Sequence, residues 1–201
     1  MTRDPSTMTA PAREIELKFL LDAAGATAVL AALPPGDTTV QALHATYFDT
    51  ADHTLSRRGF GLRVRRSGDR RIQTLKSAAG DDGGRDEWEW RIDGDTPDLS
   101  LIAATPAALP DGAALVPLFT VTSRRTLRMV EEAGSVIELV IDDGEVRAGG
   151  RVEPLLELEL ELKAGNPAAL HALAKRLAAV APLTPSSVTK AERGYRLLRE
   201  T

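Results

Sequence analysis

Residues 155–163 read LLELELELK. Glu157, Glu159, Glu161 and Lys163 occupy every second position, and Leu156, Leu158, Leu160 and Leu162 fill the alternate ones. A period of two belongs to a β-strand, so this segment puts acids on one face of a sheet and leucines on the other. The constraint is severe. Unpaired carboxylates cannot enter a dry core, and a continuous leucine face must be covered.

The pattern recurs. Residues 13–20 read REIELKFL, where Glu14, Glu16 and Lys18 alternate with Ile15, Leu17 and Phe19. Glu87, Glu89 and Arg91 alternate with Trp88, Trp90 and Ile92. Arg63 and Arg65 alternate with Leu62 and Val64, and Glu138 and Asp142 with Ile137, Leu139 and Ile141. Like charges side by side in a sheet repel. Rows of acids on several strands and a pair of arginines on another point to a ligand or ion that neutralises them.

Strands are expected over 13–20, 43–50, 59–66, 70–76, 86–92, 119–131, 135–142 and 153–163. Helices are expected over 22–33, 166–181 and 188–199, with one or two short ones around 99–109. This is an all-β core with flanking helices, an α+β chain. Eight strands joined mostly as neighbours favour an antiparallel sheet, and eight can close into a barrel that holds a small ligand. Periodicity leaves two arrangements open. The charges face outward to water, or they line a wet lumen with the leucines outside under helices. The Ala- and Leu-rich helices need an apolar surface, which favours the second.

Composition sets the remaining limits. The chain has 201 residues, which fits one domain over 13–201 behind a polar leader, residues 1–12, expected to be disordered. With 29 acids against 25 bases the net charge is −4, so no global basic footprint for nucleic acid exists. There is no cysteine, hence no disulfide and no thiolate metal site. No apolar run is long enough for a membrane span, and the start lacks an apolar signal segment, so a cytoplasmic location is expected. His44, His53 and His171 are scattered without ligand spacing.

The motifs in order are EIELKF, YFDT at 47–50, LRVR at 62–65, TLK at 74–76, RDEWEW at 85–90, TSRRT at 122–126, IDDGE at 141–145, ELELELK at 157–163 and TKAERGYRLL at 189–198. Together they resemble the CYTH superfamily, the triphosphate tunnel metalloenzymes, whose defining motif is ExExK. The last two segments are most similar to the bacterial inorganic triphosphatase branch. Many of those proteins continue into a helical CHAD domain. This chain stops at Thr201, so a member without that domain is expected.

The resemblance implies an eight-stranded antiparallel β-barrel forming a charged tunnel, with helices packed outside and a C-terminal plug helix. It implies metal-dependent hydrolysis of a triphosphate, most simply inorganic tripolyphosphate to pyrophosphate and orthophosphate, with Mg²⁺ or Mn²⁺. Glu14, Glu16, Glu157, Glu159 and Glu161 match the metal-binding acids, an all-oxygen donor set of the kind Mg²⁺ takes. Lys18, Arg63, Arg65, Lys76, Arg124 and Lys190 match the basic positions that hold phosphate. Strand alternation favours Arg124 over Arg125, which shares a face with Leu127 and Met129. Glu14, Glu16, Lys18, Glu89 and Asp142 are the catalytic candidates. Glu87, Glu89 and Asp142 match acids that hold the arginines or position water. Alternatives within the same fold are an organic triphosphate (thiamine triphosphate, a nucleoside triphosphate, or ATP cyclised to cAMP) and a polyphosphate- or nucleotide-binding module without turnover. The expected partner is a small-molecule triphosphate, with neither nucleic acid nor membrane, and the oligomeric state is open. Thr189 stands where relatives commonly carry Ser, which keeps a hydroxyl.

Overall fold

The computed structural model describes residues 10–80 and 84–200. Residues 1–9 of the expected leader lie outside them, and the first strand already begins at Ala12. The chain forms two compact units. One takes in Ala45–Leu118 with the chain start through Arg13, and the other takes in Glu14–His44 and Phe119–Thr201.

In the first unit, β4 (Phe60–Ser67), β5 (Arg70–Ser77) and β6 (Arg85–Ile92) form an antiparallel meander. Gly68, at φ 55°, makes the β4–β5 turn that the Gly-Asp pair announced. Leu62, Val64, Leu75, Trp88 and Trp90 share one face and pack with Phe48, Leu55 and Ile102. The other face carries the charges. Leu55 is held there by α2 (Thr54–Arg57), whose start is bound by the fully buried Asp49. Its Oδ1 accepts from Leu55 N at 2.8 Å and from Thr50 N at 2.7 Å, and its Oδ2 from Ser56 N at 2.9 Å. Around 99–109, where one or two short helices are expected, the described structure has a short 3₁₀ turn, Leu99–Leu101.

The second unit has the strand order β7–β8–β9–β2–β10. Here β2 is Glu16–Leu20, β7 Val116–Glu132, β8 Ser135–Ala148, β9 Arg151–Ala164 and β10 Thr184–Pro185. The first predicted strand is interrupted at Ile15, which separates β1 (Ala12–Glu14) from β2. β3 (Thr38–Asp49) carries the chain from this unit into the other. Leu17, Phe19, Leu156, Leu158, Leu160, Ile137, Leu139 and Ile141 lie under α1 (Ala23–Ala31) and α3 (Ala168–Ala178). Fully buried Val29, Leu173 and Leu177 seal this layer, each worth about 1.5–3 kcal/mol. The leucine face is therefore the covered one. Antiparallel strands with helices on their apolar face agree with the expected architecture.

Asp143-Gly144, a pair that often opens a turn, does not do so here: β8 runs on to Ala148 and the reversal falls at Gly149-Gly150, φ 56° and 77°. Gly144 is a glycine for a different reason. A Cβ there would lie 1.9 Å from Thr122 O on β7, so the position serves a close backbone approach. Among the described residues no helix is long and apolar enough to cross a membrane.

Candidate active site

Strand pairing arranges the charged face of the second unit in rows. Glu16, Glu161, Glu138 and Met129 lie opposite one another across β2, β9, β8 and β7. The next row is Lys18, Glu159, Val140 and Leu127. The third is Leu20, Glu157, Asp142 and Arg125. Two of these rows mix acids with a cation, and the first holds acids alone.

Asp142, Glu157 and Glu159 bring carboxylate oxygens within 4.8 Å of one another. Cations meet them from three elements. Lys190 opens α4 (Lys190–Arg199), and its Nζ lies 2.9 Å from both Asp142 Oδ2 and Glu159 Oε1 and donates to Glu157 Oε1. Lys18 Nζ is 3.2 Å from Glu159 Oε1 and 3.8 Å from Glu157 Oε1. Arg125 grips Asp142 with both arms of its fork, Nε to Oδ1 at 2.9 Å and Nη2 to Oδ2 at 2.6 Å, and reaches Glu159 Oε2 at 3.5 Å. Ser123 Oγ donates to Asp142 Oδ1 at 3.2 Å. Three carboxylates thus face three cations.

The pairing sets the protonation states. Burial pushes the Asp142 carboxyl up, but the Lys190 ammonium and Arg125 outweigh it and hold it at about 2. Burial likewise opposes the charge on Glu159, and Lys190, Lys18 and Arg125 hold its carboxyl well below the usual range. Glu157 goes the other way. Its burial is complete and dominates over Lys190, so its carboxyl lies above the usual value. Glu157 Oε2 accepts no hydrogen bond among the described residues, with Arg193 Nη2 at 3.9 Å. Lys190 and Lys18 keep their protons against burial because the glutamates surround them.

Glu161 sits in the acid-only row. Burial raises its carboxyl, Lys163 at 2.7 Å lowers it, and Glu14 and Glu138 raise it again. Lys18 lies 3.9 Å from Glu16, and Lys163 3.9 Å from Glu138. Glu14, Glu16, Glu138 and Glu161 therefore gather four carboxylates around fewer cations than the trio has.

Lys190 reaches the trio because α4 is fixed at both ends of its first turns. Thr189 is the N-cap: its hydroxyl accepts from Glu192 N at 3.1 Å, and Glu192 Oε2 accepts from Thr189 N at 2.7 Å. The T-x-x-E box in TKAE is the sequence signal for this start. Arg193 and Arg196 both bind Glu153, at 2.6 and 2.5 Å. Gly194 lies against the Phe119 ring, 2.2 Å from where a Cβ would stand, and Tyr195 meets Phe119 edge-on with centroids 5.2 Å apart.

The structure sets Arg125, rather than the expected Arg124, beside the acidic trio. Arg125 pairs with Asp142 across β7 and β8, and Arg124 is exposed opposite Asp143. Leu127 and Met129 on the Arg125 face suggested a covered side. The covered side at that end of β7 is instead that of Thr126, Arg128 and Val130, where Arg128 donates to Pro34 O. Of the five expected metal-binding acids, Glu157 and Glu159 gather with Asp142, and Glu161 pairs across the sheet with Glu16.

The remaining candidates belong to the first unit. Arg63, Thr74 and Glu89 form one row of its charged face, and Gly61, Lys76 and Glu87 the next. Glu89 Oε1 accepts from Thr74 Oγ1 at 3.1 Å and from Arg65 Nη2 at 3.4 Å. Lys76 Nζ is 3.2 Å from Glu87 Oε1.

Comparison with known proteins follows the same lines. The CYTH domain profile matches residues 12–195. The inorganic triphosphatase of Haemophilus influenzae is 34% identical over 157 residues, 76% of this chain. The match covers 45% of that relative, so this chain spans a little under half its length. Among solved structures, a candidate adenylyl cyclase from Hippeastrum that reveals a dominant triphosphatase activity aligns with TM-score 0.66 at 19% identity, over 94% of this chain and 95% of its own. A Pyrococcus horikoshii OT3 protein aligns with TM-score 0.61 at 20% identity, over 92% and 99%. These two likenesses establish a shared fold.

Proposed function

Since the chain belongs to the CYTH domain family, we propose that it is a metal-dependent triphosphate hydrolase acting as one domain over 13–201. Its substrate is inorganic tripolyphosphate, and its products are pyrophosphate and orthophosphate. The observation that carries this reading is the paired charge of the second unit: three carboxylates, two of them buried and one half-buried, held by Lys190, Lys18 and Arg125, beside a row of acids met by fewer cations. The similarity to an inorganic triphosphatase supports the substrate. So does the placement of Trp88 and Trp90 on the covered face of their sheet, where both pack against apolar neighbours.

The donor chemistry fits a hard divalent ion, Mg²⁺ or Mn²⁺. Asp142, Glu157 and Glu159 are already neutralised by three side-chain cations, so the acid-only row is the better match. Glu14, Glu16 and Glu161 would hold the ion, with Glu138 behind Glu161. When bound, it supplies Lewis-acid neutralisation of phosphate charge.

The side chains divide the rest of the work. In the first unit Arg63 and Arg65 offer planar forks that match non-bridging phosphate oxygens, and Lys76 a point charge; in the second, Lys18 and Lys190 offer point charges. Arg125 adds a further fork on the charged face, beside Asp142. Glu89, Glu87 and Asp142 each hold one of these cations, so they act as positioning residues. A set of cations fixed before substrate arrives needs no reorganisation as charge develops in the transition state. The expected setting is the cytoplasm, with no nucleic-acid partner.

The test is orthophosphate release from tripolyphosphate with and without Mg²⁺, beside ATP and thiamine triphosphate, for wild type and Glu14→Gln/Glu16→Gln. Metal-dependent release from tripolyphosphate that the double variant loses is the expected result. Preference for an organic triphosphate, or cAMP formed with pyrophosphate, would move the chain to another substrate. No turnover with binding retained would leave a binding module.

A further inference from the structure

The charged face of β4, β5 and β6 continues beyond the residues assigned above. Arg65, Ile72 and Arg91 form its next row, and Arg70 follows Ile72 on β5, opposite Ser67. Side chains alternate along a strand, so Arg63, Arg65, Arg70 and Arg91 project from one face. Its character changes toward the β4–β5 turn. At the other end each cation meets an acid, Lys76 with Glu87 at 3.2 Å and Arg65 with Glu89 at 3.4 Å. Arg70 and Arg91 are exposed and form no ion pair among the described residues. The nearby Asp95 is taken on the opposite face by Arg71, at 3.0 Å. Asp69 lies in the turn and Asp93 past the end of β6, both exposed.

A solvated face would continue to interleave acids, as this one does around Glu87 and Glu89. Unrelieved like charges on neighbouring strands repel, and an anion removes that repulsion. We propose that Arg70 and Arg91, joined to Arg63 through Arg65, form an outer anion subsite for the phosphates of a linear polyphosphate beyond the first three. At about 3.4 Å per residue and 4.8 Å per strand, Arg65 lies about 7 Å from Arg63 and about 10 Å from Arg91. Long side chains cover such diagonals, and a guanidinium can take two oxygens of one phosphate. The inference rests on the hydrolase reading and extends it from a triphosphate to longer chains of the same chemistry.

The experiment compares the full chain with Arg70→Ala/Arg91→Ala on tripolyphosphate and on a linear polyphosphate of several tens of phosphates. KM for the long chain rises about tenfold with kcat unchanged, while both constants for tripolyphosphate stay at wild-type values. Arg70→Lys/Arg91→Lys restores part of the loss. An unchanged KM for the long chain, or an equal rise for both substrates, overturns the subsite. Equilibrium binding of the long polyphosphate without turnover keeps the two readings apart. No hydrolysis by wild type, with binding that the alanine variant loses, removes the hydrolase reading and leaves the subsite. Binding that the variant retains removes the subsite.

Discussion

Lys190 Nζ lies 2.9 Å from Asp142 Oδ2, so the first residue of α4 ends among the carboxylates of β8 and β9. Both groups are buried, and neither could stay charged alone. Helix and sheet are joined through charge where the apolar faces of this unit are joined through leucine.

Lys190→Met removes the ammonium and leaves Asp142, Glu157 and Glu159 facing one another. The expected loss is about 3–5 kcal/mol of unfolding free energy, read from denaturant titration. Adding Glu157→Gln recovers part of it by deleting one of the stranded charges. A loss below about 1 kcal/mol would mean that water reaches the pair and screens it.

Asp142 gives stability a defined acid limb. Its folded carboxyl, at about 2, lies below the ordinary 3.8, so its contribution is present above about 4 and is lost as pH falls towards 2. Asp142→Asn removes that slope. Unfolding followed from neutral pH down to about 2 measures it, and the variant and wild-type curves converge at the acid end.

Arg125 and Arg124 are adjacent in sequence and opposite in consequence. Arg125→Lys keeps a charge but loses the two-armed grip on Asp142, and tripolyphosphate hydrolysis falls roughly tenfold to a hundredfold. Arg124→Ala stays within about twofold of wild type, since the residue is exposed on the other face of β7. Steady-state kinetics on the two variants decides between them, and equal losses would return Arg124 to the site.

Asp49 is a stability position at the start of α2. Its carboxylate takes three backbone N–H groups, two of them in α2, and Asp49→Ala leaves these donors without it. A loss of about 2 kcal/mol is expected, with Asp49→Asn intermediate because its amide keeps one acceptor oxygen. Urea midpoints of the two variants test the order.

The alternation of 155–163 announced both the acid rows and the leucine layer, because a strand buried on one face must declare that face in its sequence. Other features carried no such signal. Residues 38–42 of β3 are exposed on both sides, so nothing alternates there and the expected strand, 43–50, lacks these five residues. Arg125 was missed because apolar residues on its face do not mark the covered face when a helix end and charged groups share the burial. Nothing local in the sequence explains Gly144 or Gly194. The atoms that demand glycine there, Thr122 O and the Phe119 ring, are distant in the chain and become visible only on folding. The capping box of Thr189 and Glu192 was legible, but its purpose, to aim Lys190 at Asp142, was not.

The pairing of β2 with β9 has a consequence in time. Glu16 meets Glu161 and Leu20 meets Glu157, so the first strand of this unit waits for one of the last. During synthesis β2 emerges with its hydrogen-bonding edge open, and contacts this distant in sequence form slowly. An open, apolar edge is an invitation to aggregate, and charged side chains are the usual defence. Glu16 and Lys18 supply that defence on the nascent strand before they have any partner. The residues proposed for ion and phosphate thus begin as guardians of an unfinished sheet.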